Sequence, residues 1–147
     1  MFTAGHIIYF PTFYFKNGNT AKPKYFIVLR IIDGKTIVAS LPTRVNNAPT
    51  LINVLHGCIN QDDRVFNCYT FEPGRVICDN GFFFDLPTFI YGNQVEDYDV
   101  EIFEEVYRIE GIDYEIKGTL NDDEFERITN CIKNSASTKR KIKRLLS

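Results

Sequence analysis

The sequence predicts a mainly β domain, a small, strongly bent antiparallel barrel of five to seven strands with a C-terminal helix or helices. Two strand–turn–strand patterns support this, with Asp33-Gly34 and Pro73-Gly74 at their turns. An N-cap pattern at Asn121 signals one late amphipathic helix. The chain has 147 residues, the length of one domain, and its 44% hydrophobic content is enough for a core. Thirteen Phe and eight Tyr, beside no Trp and one Met, fit a strand-rich interior.

In chain order, the first strand is expected over His6 to Phe10, interrupted at Pro11 and followed by the aromatic run Phe13-Tyr14-Phe15. Lys16 to Ala21 reads as a loop, because Asn-Gly-Asn-Thr is turn chemistry. Tyr25 to Ile32 is β-branched and aromatic, with Pro23 just before it, where a proline costs no central ladder bond. Asp33-Gly34 supplies positive φ at both centres of a tight turn, and Thr36 to Leu41 returns as the partner strand, closed by Pro42. The apolar runs of this hairpin are nearly continuous, so both faces are expected to be covered, as in a small barrel or a dimer.

Leu51 to Leu55 is a short apolar segment of ambiguous type. Arg64 to Phe71 reads as a strand, and Arg75 to Cys78 as its partner across the Pro73-Gly74 turn. Phe82 to Tyr91 continues extended, broken by Pro87. A helix is expected over 99–107 and a strand over 112–117. From Asn121, Asn121 and Glu124 form a capping-box pattern, and Phe125, Ile128, Cys131 and Ile132 make one apolar stripe. A second short helix is expected from Ser137 to Leu146, with Ile142, Leu145 and Leu146 inward and its cations outward.

The net charge of −2 conceals a division. Residues 1–95 hold eight Lys/Arg against six Asp/Glu; residues 96–132 hold three against thirteen; residues 133–147 hold six against none. The total does not announce nucleic-acid binding, but a local basic surface is compatible with it. The acidic segment 96–126 is expected to lie away from the open end of the hairpin if that end binds phosphate. The four cysteines show no Cys-x-x-Cys pairing and read as small buried hydrophobes in a reducing compartment. With only His6 and His56 available, neither a metal nor a cofactor is expected. No apolar run is long enough to cross a bilayer and no signal-peptide core is present, so a cytoplasmic location is expected.

Gly5-His6-Ile7-Ile8-Tyr9-Phe10, the polar loop Lys16-Asn17-Gly18-Asn19-Thr20, Lys22-Pro23 before an apolar strand, and Leu41-Pro42-Thr43 occur in an order that resembles the MazF/PemK family of plasmid-maintenance toxins. Gly92-Asn93-Gln94-Val95 and Gly118 to Phe125 resemble later segments of the same family. The likeness covers the first third and last quarter of the chain. It implies an SH3-like, CcdB-like barrel, a homodimer, and a toxin neutralised by an antitoxin. The implied activity is sequence-selective cleavage of single-stranded RNA without metal, by attack of the 2′-hydroxyl on its own phosphodiester. Lys22 and Thr43 match the family's catalytic positions, Lys22 as charge stabiliser and Thr43 as hydrogen-bond donor to a phosphate oxygen. Arg44, His6, Lys16 and Lys24 complete the implied substrate-binding set.

The sequence departs from the pattern at four positions: Asn93 stands where the family has an acid, Arg44 where it commonly has a second hydroxyl, and Lys22 and His6 differ as well. Lys22 stands where the family has arginine, and lysine cannot make the planar bidentate clamp. His6 stands where the family has an acid. A catalytically degenerate relative that binds RNA or a protein is therefore the alternative reading. A gyrase-poisoning toxin of the sister family is a third, ranked last because Lys139 to Leu146 is basic and capped by Ser147. Outside this context, a lysine before a proline at a strand entry is ordinarily solvated, and a threonine after a proline is ordinarily a turn residue. His56 falls in an unassigned loop and carries no expected role.

Overall fold

Asp33 and Gly34, with φ of 52° and 72°, reverse the chain between β2 (Lys22–Ile32) and β3 (Lys35–Leu41) in the computed structural model. Positive φ at both centres is what a two-residue hairpin turn demands, so the most local of the expected elements forms as read. The structure describes residues 2–15, 18, 21–41, 56–61 and 66–147. Pro42, Leu51 to Leu55 and three of the expected site residues, Lys16, Thr43 and Arg44, lie outside them.

The hairpin is the centre of a five-stranded antiparallel sheet. β1 (His6–Phe13) pairs with β2, β8 (Glu115–Thr119) with β1, and β7 (Val95–Asp99) with β3, giving the order β7-β3-β2-β1-β8. A second antiparallel sheet has the order β4 (Gly57–Gln61), β5 (Phe66–Phe71), β6 (Thr88–Tyr91). Among the described residues three α-helices complete a mainly β architecture: α1 (Val100–Val106), α2 (Asp122–Asn134) and α3 (Arg140–Leu146). The described strands form no closed barrel.

The continuous apolar runs of β2 and β3 are explained by cover on both faces of the sheet. Ile7, Ile27, Ile37 and Ala39 point toward β5, α2 and α3, packing with Tyr69, Phe71, Ile128 and Ile142. The alternate residues Ile8, Phe10, Phe26, Val28 and Val38 face an aromatic layer with Phe13, Phe103, Tyr107 and Tyr114. Here Phe13 stacks on Tyr107 at 5.4 Å, and Phe2 meets Phe103 edge-on at 5.2 Å.

Several expectations are corrected. β1 does not stop at Pro11 but runs to Phe13, because a register shift between Phe10 and Phe13 leaves the proline outside the regular ladder. The second hairpin does not form: β5 pairs with β4 and β6 instead, and Arg75 to Cys78 belongs to a loop. Ile77 and Cys78 are both buried in succession, which breaks the period-two alternation of a half-buried strand. The strand expected over 112–117 is displaced to Glu115–Thr119, and the helix expected over 99–107 forms as α1. The cysteines divide. Cys58, exposed on β4, is joined by a disulfide to Cys131 on α2, with Cα atoms 5.6 Å apart, whereas Cys68 and Cys78 are buried thiols. Burial pushes the Cys78 thiol up to about 12, so it is not a nucleophile at neutral pH.

Candidate nucleic-acid interface

Antiparallel register places paired residues on the same side of a sheet, and here it assembles a groove at the open end of the hairpin. Lys22 pairs with Phe13, Lys24 with Phe10, Ser40 with Phe26, and Glu96 with Val38, so all four polar side chains share the aromatic face. The groove has a volume of about 300 Å³, with Phe15, Lys22 and Lys24 on one side and Glu96 and Tyr98 on the other. Asn93 and Gln94 project into it from a 3-10 turn over Gly92–Gln94. That turn lies tight against the α2–α3 connection, since a Cβ on Gly92 would stand 2.4 Å from Thr138 Oγ1. Glycine at this position permits that close approach.

Lys22 is exposed, and its Nζ lies 5.6 Å from the centroid of the Phe15 ring, a cation–π contact. Lys24 is half-buried; desolvation lowers its pKa, and the positive charge of Lys22 lowers it further. Among the described residues, neither lysine has a carboxylate within ion-pair distance. The acidic segment is not kept away from this end, as the sequence led us to expect. β7 is the neighbour of β3 and carries Glu96 into the groove. Its charge is answered by an ion pair with Lys139, which places a third lysine at the rim.

Of the expected site residues, the structure brings Lys22 and Lys24 together. His6 is not with them: it sits at the other end of β1, paired with Thr119, and its Nδ1 accepts the Thr3 backbone N–H at 3.2 Å. Seven residue steps along β1 separate it from Phe13, the partner of Lys22, roughly 23 Å at the rise of a β-strand. Glu96, Tyr98, Asn93 and Gln94 were not singled out as site residues, because only the pairing of β7 with β3 makes them neighbours of Lys22.

A second polar cluster was also missed. The His56 side chain is buried against Glu124, with Nε2 2.6 Å from Oε1, and the Tyr69 hydroxyl donates to Oε2. The His56 Nδ1 accepts the Glu72 backbone N–H at 3.1 Å, so the ring proton resides on Nε2 and points at the carboxylate. Burial and the Glu124 hydrogen bond push the Tyr69 phenol well above its ordinary range. The sequence pattern makes Glu124 half of a capping box. Asn121 does accept the Glu124 backbone N–H at 2.9 Å, but the Glu124 side chain turns into the core instead of back to the cap.

Among the described residues, no group of three His, Cys, Asp or Glu is placed to hold a metal, and no helix is long and apolar enough to cross a membrane. Comparison with known proteins finds no match to any family model, curated protein or solved structure.

Proposed function

We propose that the groove binds single-stranded RNA, with Lys22, Lys24 and Lys139 toward phosphates and Phe15 and Tyr98 against bases. The observation that supports this most is the pair Lys22 and Lys24, two cations two residues apart on β2 that line the same groove. Desolvation, and then the charge of Lys22, lowers the pKa of Lys24. An anion between them relieves that repulsion, and a half-exposed aromatic beside each wall offers the stacking that single strands use. The exposed amides of Asn93 and Gln94 supply donors and acceptors for base edges. The bulges in β1 and β2 support a strongly bent, SH3-like barrel as the scaffold. Action as a toxin, with an antitoxin and a homodimeric assembly, rests on the resemblance of the N-terminal motifs alone.

The lowered Lys24 favours a second reading at the same site, metal-independent cleavage. The 2′-hydroxyl gives its proton to water as its oxygen attacks phosphorus, the bond from phosphorus to the 5′-oxygen breaks, and the leaving oxygen takes a proton from the Lys24 ammonium while Lys22 stabilises the charge on phosphate. Incubating the protein with labelled single-stranded RNA in EDTA separates the readings. Retarded but intact RNA is the binding module; a product ending in a cyclic phosphate is the enzyme. In the enzyme, Lys22→Arg raises the rate by restoring a bidentate clamp, and in the binding module it produces no cleavage. RNA neither bound nor cut contradicts both.

A further inference from the structure

A second groove of about 280 Å³, which shares Tyr98 with the first, opens between the end of β1, β7 and α1. Its floor is the buried trio Phe13, Phe103 and Tyr107. Its margin is apolar yet exposed: Tyr14 is 61%, Ile102 59% and Val106 46% accessible. Ile109 and Ile112, in the turn beyond the helix, are also exposed large hydrophobic residues. Ile102 and Val106 are four apart on α1 and form one stripe, with Glu101 and Glu105 beside it. Residues 96–115 hold nine acids and one base. Among the described residues, Glu101, Glu104, Glu105 and Glu110 have no cation within ion-pair distance.

We propose that this groove docks a basic amphipathic segment of a partner protein. Aliphatic side chains of the partner enter between Tyr14, Ile102 and Val106, and its Lys or Arg residues lie over Glu101 and Glu105. Charge complementarity selects this occupant: the acidic margin repels nucleic acid and anionic lipid alike. A second copy of this chain is a poor fit, since its own basic amphipathic helix, α3, already buries Ile142 and Leu146 in the core. The inference is independent of the RNA reading.

The test uses the full chain and a fluorescein-labelled helical peptide with Leu at i, i+3, i+4 and i+7 and Lys elsewhere, read by fluorescence anisotropy. Its counterpart carries Glu in place of each Lys. The Lys peptide is expected to bind and the Glu peptide not to. Ile102→Asp and Val106→Asp should each weaken binding about tenfold, the worth of one buried aliphatic side chain. Each adds a negative charge, so non-specific charge attraction predicts the opposite sign. Val76→Asp, at an exposed apolar residue in the 72–84 loop, should leave affinity unchanged. Ile102→Ala serves the same purpose if an aspartate variant fails to fold. Equal binding of both peptides, no binding of the Lys peptide, or indifference to the Ile102 and Val106 changes overturns the proposal.

Discussion

His56, Tyr69 and Glu124 pack with the core on one face of the five-stranded sheet, while Lys22, Lys24 and Glu96 line a groove on the other. In the buried cluster each nitrogen and oxygen that could demand water has a protein partner: both ring nitrogens, the phenol and both carboxylate oxygens are engaged. Such closure fits a role in holding β4, β5 and α2 together and leaves nothing to offer a ligand. In the groove Lys22 faces an aromatic ring and Lys24 its fellow cation, and among the described residues neither has a carboxylate partner, whereas Lys139 is paired with Glu96. The contrast predicts that damage to the closed cluster appears in stability, and damage to the groove in binding.

The largest effect is expected from Glu124→Ala. It strands the His56 Nε2–H and the Tyr69 hydroxyl in the core, at a cost of about 3–5 kcal/mol. Urea unfolding should show a much lower midpoint, while the folded fraction keeps its RNA affinity; wild-type stability in this variant breaks the comparison. Next is the disulfide beside that cluster. Cys58→Ser with Cys131→Ser opens a constraint spanning 73 residues, worth about 4 kcal/mol on the chain-entropy account, again without change in affinity.

How much of this was legible depended on distance along the chain. The Asp33-Gly34 hairpin, the Asn121 half of the cap and the apolar stripe of α2 are settled by residues within a turn or two of one another, and these formed as expected. The strand assigned to Arg75 to Cys78 failed because the true partners of β5 are β4 and β6, choices that local turn chemistry does not encode. The disulfide was invisible for the same reason, since no spacing rule joins Cys58 to Cys131. At the groove, alternation along β2 alone places Lys22 and Lys24 together. Glu96 and Tyr98 arrive through β7, and Glu124 looked like a capping residue because its cap bond is real.

Smaller effects sharpen the comparison. Lys22→Ala should change stability by no more than about 0.5 kcal/mol, as a surface substitution does. It should also raise the pKa of Lys24 by removing a like charge, which a side-chain NMR titration reads directly. An unmoved Lys24 means the two ammonium groups do not sense each other. Smallest is His6. Burial lowers its pKa, so as pH falls below about 6.5 the unfolded chain takes up the proton first and stability declines. His6→Gln should flatten unfolding midpoints across that window and leave RNA binding untouched; an unchanged pH profile removes His6 from the account.

The salt dependence of RNA affinity tests the central claim most directly. For a fluorescein-labelled single-stranded RNA titrated between about 50 and 200 mM salt, log affinity should fall linearly with log salt, with a slope of about 0.7 per phosphate neutralised. Replacing Lys22 and Lys24 together by alanine should shallow that slope by about 1.4 and weaken binding, with the unfolding midpoint unchanged. A double variant that keeps the wild-type slope and affinity contradicts the assignment of this groove.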